Sequence, residues 1–123
     1  MLIDWDSIKV VELAPGVRQR QVEVDNLFVA LQEFEAPGLG REMKIHAHPH
    51  QQAGYVLEGE LEVLIGEELH VIRAGEAYVV PPDAEHGGRA HVPTRLLNFY
   101  VDPGPDYIDG YRAKNSPRKE KSS

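Results

Sequence analysis

The segment His46-Ala47-His48 sets two imidazoles two residues apart, and along a strand such residues point to one face. Both rings then lie within reach of one cation. Gln52 keeps the same parity beyond Pro49, where a kink or turn swings its amide oxygen toward the same point, so three neutral donors fall within seven residues. A second segment, Gly75 to His86, reads GEAYVVPPDAEH: a turn glycine, an apolar strand, a Pro-Pro break that stops the ladder, and a histidine after a short loop. Alone, His86 reads as a loop residue. Beside the first segment, it reads as a strand end delivering one more imidazole. The chain has no cysteine, so any metal must use His, Asp, Glu or amide oxygens. Of the other histidines, His50 shares the ligand parity just after Pro49, His70 sits among polar neighbours facing solvent, and His91 lies in a loop as the one competitor of His86.

The elements that position these groups are short. Gly and Pro punctuate the chain at Pro15-Gly16, Pro37-Gly38, Gly54, Gly59, Gly66, Gly75, Pro81-Pro82 and Gly87-Gly88, leaving no room for several helical turns. Between them lie Val17 to Val24, Leu27 to Phe34, Met43 to His48, Tyr55 to Leu57, Leu61 to Ile65, Leu69 to Arg73, Ala77 to Val80 and Arg95 to Val101. Their spacing predicts an all-β sandwich or small barrel of eight or more strands. One helical turn is expected at Pro105 to Tyr111.

The chain has 123 residues, 41% hydrophobic and 27% charged, which predicts one globular domain over residues 1–111 followed by a basic flexible tail, 112–123. That tail holds five of the 13 Lys and Arg residues, so the first 111 residues carry 8 basic against 19 acidic, a net charge of −11. Such a body repels phosphate backbones, and nucleic acid is not an expected partner. No apolar run approaches the roughly 20 residues of a membrane span. The N-terminal MLIDWDSIKVVEL is acidic where a secretory signal is basic, so the expected location is the cytosol, away from membranes.

The two histidine segments resemble the paired motifs of the cupins. The first motif, Gx5HxHx3Ex6G, is met at Gly40, His46, His48, Gln52 and Gly59, with Gln in place of Glu. The second, Gx5PxGx2Hx3N, is met at Gly75, Pro81 and His86, and departs at Asp83 and Ala90. The resemblance implies a double-stranded β-helix, the jelly-roll barrel, with one divalent metal ion (Zn, Ni, Fe, Mn or Co) held by His46, His48, Gln52 and His86. Three imidazoles and an amide would leave the ion's 2+ charge uncompensated and make it a stronger Lewis acid than a set containing Glu.

Within the cupins, HAHPHQQAGYVLEGELEVLIGEE followed by AGEAYVVPPDAEHG is similar to the small pectin-degradation cupins, which speed conversion of unsaturated uronates into linear keto sugars with three His and a Gln. In that family the last core strand carries an acid/base Asp, an aromatic two residues on, and a nearby Arg for the substrate carboxylate. Here LLNFYVDPGPDY puts Asn98, Tyr100 and Gly104 at those positions. An amide cannot exchange a proton at neutral pH, so Tyr100 is the expected acid/base and Asn98 a hydrogen-bonding partner on the same face. Arg18, Arg89 and Arg95 are the available substitutes for the anion clamp, and Glu33 or Glu35 for the base. The expected function is metal-dependent proton transfer on a small polar molecule, as an isomerase or lyase. The alternatives are an Fe(II) dioxygenase and a non-catalytic binding module. Apolar residues in Leu27 to Leu31 and Leu96 to Phe99 exceed the needs of one inner face, which predicts a homodimer through sheet packing.

Overall fold

At Asp25-Asn26 the chain reverses, with Asp25 in the left-handed region at φ 54°, a conformation that a short polar side chain tolerates. The two runs it separates pair along their whole length. The computed structural model describes residues 2–35, 45–47, 49 and 51–101. After a 3-10 turn at Trp5–Ser7 it holds nine strands: β1 Val11–Ala14, β2 Val17–Val24, β3 Leu27–Phe34, β4 Gln51–Glu58, β5 Glu60–Ile65, β6 Glu68–Arg73, β7 Ala77–Val80, β8 His86–Arg89 and β9 Thr94–Val101. They form a six-stranded sheet, β1-β2-β3-β9-β4-β7, and a three-stranded sheet, β6-β5-β8. Every paired neighbour is antiparallel. Nearly all-strand content in two antiparallel sheets is the jelly-roll arrangement.

Alternation along the strands sorts the residues. On β9, Thr94, Leu96, Asn98 and Tyr100 are buried and face inward, while the intervening residues are partly exposed. The apolar core lies at one end, where Val56 and Leu96 of the large sheet meet Leu61, Val63 and Ile72 of the small one. Full burial of each such side chain contributes about 1.5–3 kcal/mol. A smaller cluster of Phe28, Ala30 and Tyr100 lies on the large sheet alone. Gly59 makes the β4–β5 turn at φ 85°, and a Cβ there would run into the carbonyl of Pro93. That position therefore needs glycine on two counts.

β2, β3 and β7 span the expected residues. β4 starts at Gln51 rather than at Tyr55, so Gln52 needs no kink to face inward: it is an ordinary inward residue of the strand. His86, read as a strand end after a short loop, opens strand β8. The expected strand from Met43 to His48 falls largely outside the described residues, and within them His46 makes an isolated bridge to His86. The expected turn at Pro105 to Tyr111 and the tail also lie outside them. Among the described residues no helix is long and apolar enough to cross a membrane.

Candidate metal centre

Strand register brings the polar groups together. Across the inner face of the large sheet, Phe28, Tyr100, Gln52 and Val80 form one row, and Ala30, Asn98, Gly54 and Tyr78 form the next. Asn98 is thus flanked by the two smallest residues of its row. A Cβ on Gly54 would collide with the ring of Tyr78, so the glycine is the seat on which that ring lies across the strand. From there Tyr78 donates its hydroxyl proton to Asn98 Oδ1 at 2.8 Å. Burial pushes the Tyr78 hydroxyl well above its ordinary range, against a weaker opposing effect of its hydrogen bond with Gln52, so the group keeps its proton.

The two histidines meet from outside this sheet. His46 and His86 exchange both backbone N–H···O bonds, at 2.9 and 2.8 Å, and their rings stand 4.3 Å apart. His46 stays exposed at the edge of the group, whereas His86 and Gln52 are buried. His86 Nδ1 lies 2.9 Å from the carbonyl of Ala84, which can only accept, so Nδ1 carries the proton. In the neutral ring Nε2 is then the nitrogen that carries a lone pair.

That lone pair faces Gln52 Oε1, a second acceptor, at 3.2 Å. The amide is held in this sense by Gln52 Nε2, which donates to Asn98 Oδ1 at 3.1 Å. Two acceptors at such a distance repel unless a proton or a cation lies between them. Ligand atoms bonded at about 2.0–2.2 Å to one shared ion stand about 3 Å apart, so the donor set fits a divalent metal. The Nδ1–H···O=C bond to Ala84 is also the usual means of orienting a metal-bound imidazole. Of the expected ligands, the fold brings His46, Gln52 and His86 to one place, and His48 lies outside the described residues.

These groups line a cavity of about 220 Å³, together with Tyr78, Asn98 and Tyr100. No carboxylate is among its described lining residues. The substitutes for the anion clamp and the base lie elsewhere, Arg89 excepted. Glu33 takes ion pairs from Arg20 and Arg95 at 3.2 Å each on the outer face, and Glu35 takes Arg18 at 3.0 Å. Their parity opposes that of Gln32 and Leu96, so they belong to a surface ladder and not to the site. Arg89 borders the cavity, but its Nε is bound to Glu62 at 2.6 Å, and His91 Nε2 lies on the same carboxylate at 3.1 Å. His91 is therefore no competitor of His86. His70 lies beside Glu68 on the surface, as expected. Tyr78 was invisible in the sequence, because its role depends on the register that sets it opposite Gly54.

Residues 33–100 match the sequence profile described as the cupin domain. Among solved structures, the chain is similar to an RmlC-like cupin from Shewanella frigidimarina NCIMB 400, at 24% identity and a TM-score of 0.76, covering 86% of this chain and 94% of that one. It is similar to KdgF from Halomonas sp. at 24% identity and a TM-score of 0.76, covering 88% and 97% of the two chains. A third likeness, to hydroxypropylphosphonic acid epoxidase from S. wedmorenis, has 13% identity and a TM-score of 0.72, covering 82% of this chain and 59% of that one.

Proposed function

Because this chain belongs to the cupin family, we propose that it binds one divalent metal ion and catalyses proton transfer without redox change on a small polar organic substrate. The reaction class is isomerisation, ketonisation or lyase chemistry, with a sugar acid as the substrate suggested by the resemblance to the uronate-ketonising cupins. The observation that carries this reading is the pair of lone-pair donors, His86 Nε2 and Gln52 Oε1, held face to face by hydrogen bonds on their other atoms. His46, His48, Gln52 and His86 are the proposed ligands. A bound ion would supply Lewis acidity, polarising a carbonyl, carboxylate or hydroxyl oxygen.

The proton is moved by Tyr100, which lines the cavity. Tyr78 is unsuited to that work, since its proton is committed to Asn98. A carboxylate-containing facial triad, as in many oxygen-activating iron enzymes, finds no carboxylate in the described cavity wall, which favours proton transfer over oxygenation.

The assembly proposed is a homodimer through the outer face of the large sheet. Val22, Val29, Phe99, Ala53 and Val79 form one apolar row across five strands, with Leu97 and Tyr55 in the next. Arg20 ends the second row, and beyond it Arg18, Glu33, Arg95 and Glu58 run in alternating ion pairs, so a two-fold copy meets both signs of charge along its border.

Metal-loaded protein given an unsaturated uronate is expected to form the linear keto sugar without consuming dioxygen, and Tyr100→Phe to slow it by ~100-fold or more. Turnover unaffected by Tyr100→Phe would remove Tyr100 from the mechanism. Oxygen uptake would make the protein an oxygenase, and saturable binding without turnover would make it a binding module.

A further inference from the structure

Asn98 carries two polar atoms, and the protein uses one of them. Its Oδ1 accepts from both Tyr78 and Gln52. Its Nδ2 donates no hydrogen bond among the described residues. Nor is it sealed away: the buried side-chain atoms without a partner among these residues are Arg18 Nε, Arg20 Nε, Gln21 Nε2 and Arg95 Nε. Asn98 lines the cavity, so Nδ2 is open to it.

The orientation is enforced from both sides. Tyr78 lies over Gly54 and donates to Oδ1 at 2.8 Å, which puts a donor against one side of the amide. Gln52 puts a second donor against the same oxygen, and its own oxygen is turned to His86. Reversing the Asn98 amide would set NH2 against the NH2 of Gln52 and break that arrangement. A carboxylate at position 98 would present only acceptors. The amide presents a donor.

We propose that Asn98 is a specificity-determining donor, whose Nδ2 takes a carbonyl or carboxylate oxygen of a ligand bound beside His86 and Gln52, and that Tyr78 is the positioning residue that turns it there. This deepens the proposed metal-dependent reading and rests on it for the ligand's second anchor. A 2-keto acid offers adjacent oxygens that only accept, one for the cation and one for Nδ2. A polyol of the same size offers hydroxyls, which gain less from a fixed donor.

The test uses zinc-loaded, 15N-labelled full-length protein titrated with pyruvate and, separately, with glycerol, following the Asn98 side-chain NH2 resonances. Pyruvate is expected to shift them downfield saturably, and glycerol to leave them in place. Asn98→Asp is expected to weaken pyruvate binding by about tenfold or more with zinc stoichiometry retained, and Tyr78→Phe by several-fold. Unmoved Asn98 resonances at saturating pyruvate, equal pyruvate affinity in Asn98→Asp, or no pyruvate binding by wild type would each overturn the proposal. If wild type holds no zinc, the metal reading falls on its own, while the pyruvate-dependent shift of the amide still decides the donor. Should Asn98→Asp fail to fold, the saturable resonance shift in wild type and its several-fold higher pyruvate midpoint in Tyr78→Phe carry the test, and an unchanged midpoint would remove Tyr78 from the proposal.

Discussion

Gly54 and Tyr78 face each other across the β4–β7 pairing, and the tyrosine ring occupies the space where any side chain at position 54 would stand. The absence of one side chain thereby lets another cross its strand and reach Asn98 on β9. Local glycine chemistry, which in sequence looks like a weak spot in a strand, fixes the hydrogen bonding of the cavity floor.

Gly54→Ala is therefore expected to force the Tyr78 ring off its seat and to destabilise the fold by about 1–3 kcal/mol, the usual cost of overpacking. Urea denaturation measures it. A loss below about 0.5 kcal/mol, as at an ordinary surface position, would mean that the ring relaxes freely.

Glu62 gives an acid dependence. The hydrogen bond from Arg89 foremost, with His91 adding to it and burial opposing, holds its carboxyl below the ordinary value of 4.5. A depressed carboxyl pKa contributes stability that is present above the unfolded value and lost as pH falls through the folded one. Wild type should thus exceed Glu62→Gln in urea midpoint at pH 7, and the gap should close below about pH 4. Both side chains are partly exposed, so added salt should narrow it as well. A gap that persists unchanged into acid would contradict the ion pair.

Val79 is 61% exposed on the edge strand β7, where it ends the apolar row of the outer face. A glutamate there costs the isolated fold little and places a charge in the proposed dimer contact. Light scattering should give wild type a mass of about twice 13.8 kDa and Val79→Glu a mass near 13.8 kDa, with unchanged circular dichroism. A wild-type mass near 13.8 kDa at tens of micromolar would remove the dimer.

Much of this architecture is legible in the chain. β2 and β3 are readable to the residue because Gly16, Asp25-Asn26 and the segment after Phe34 bound an alternating segment, VRQRQVEV, and an apolar one, LFVALQEF. β8 was not, because His86-Gly87-Gly88-Arg89 has no strand-forming side chain and is strand only through its pairing with Glu62 to Ile65. Asp83, standing where the second cupin motif has Gly, takes φ 64°, so the departure preserves the backbone that the glycine serves.

The candidate site divides the same way. The grouping of His46, Gln52 and His86 follows spacing that sequence displays. The partnership of Tyr78 with Asn98 depends on which residues of β4, β7 and β9 stand opposite one another, and no local pattern encodes that register. Arg18, Arg95 and Glu33 were considered for the site because their charges suit it, yet alternation along β2, β3 and β9 turns them to the outer face.

The central claim is that His86 Nε2 and Gln52 Oε1 converge on a cation, and metal content per chain after chelator stripping and reloading with zinc tests it most directly. Wild type should hold about one ion, His86→Ala should lose most of it, and Gln52→Glu should retain it, since a carboxylate replaces the amide oxygen as a ligand. Equal zinc content in wild type and a folded His86→Ala variant, or none in either, would contradict the account.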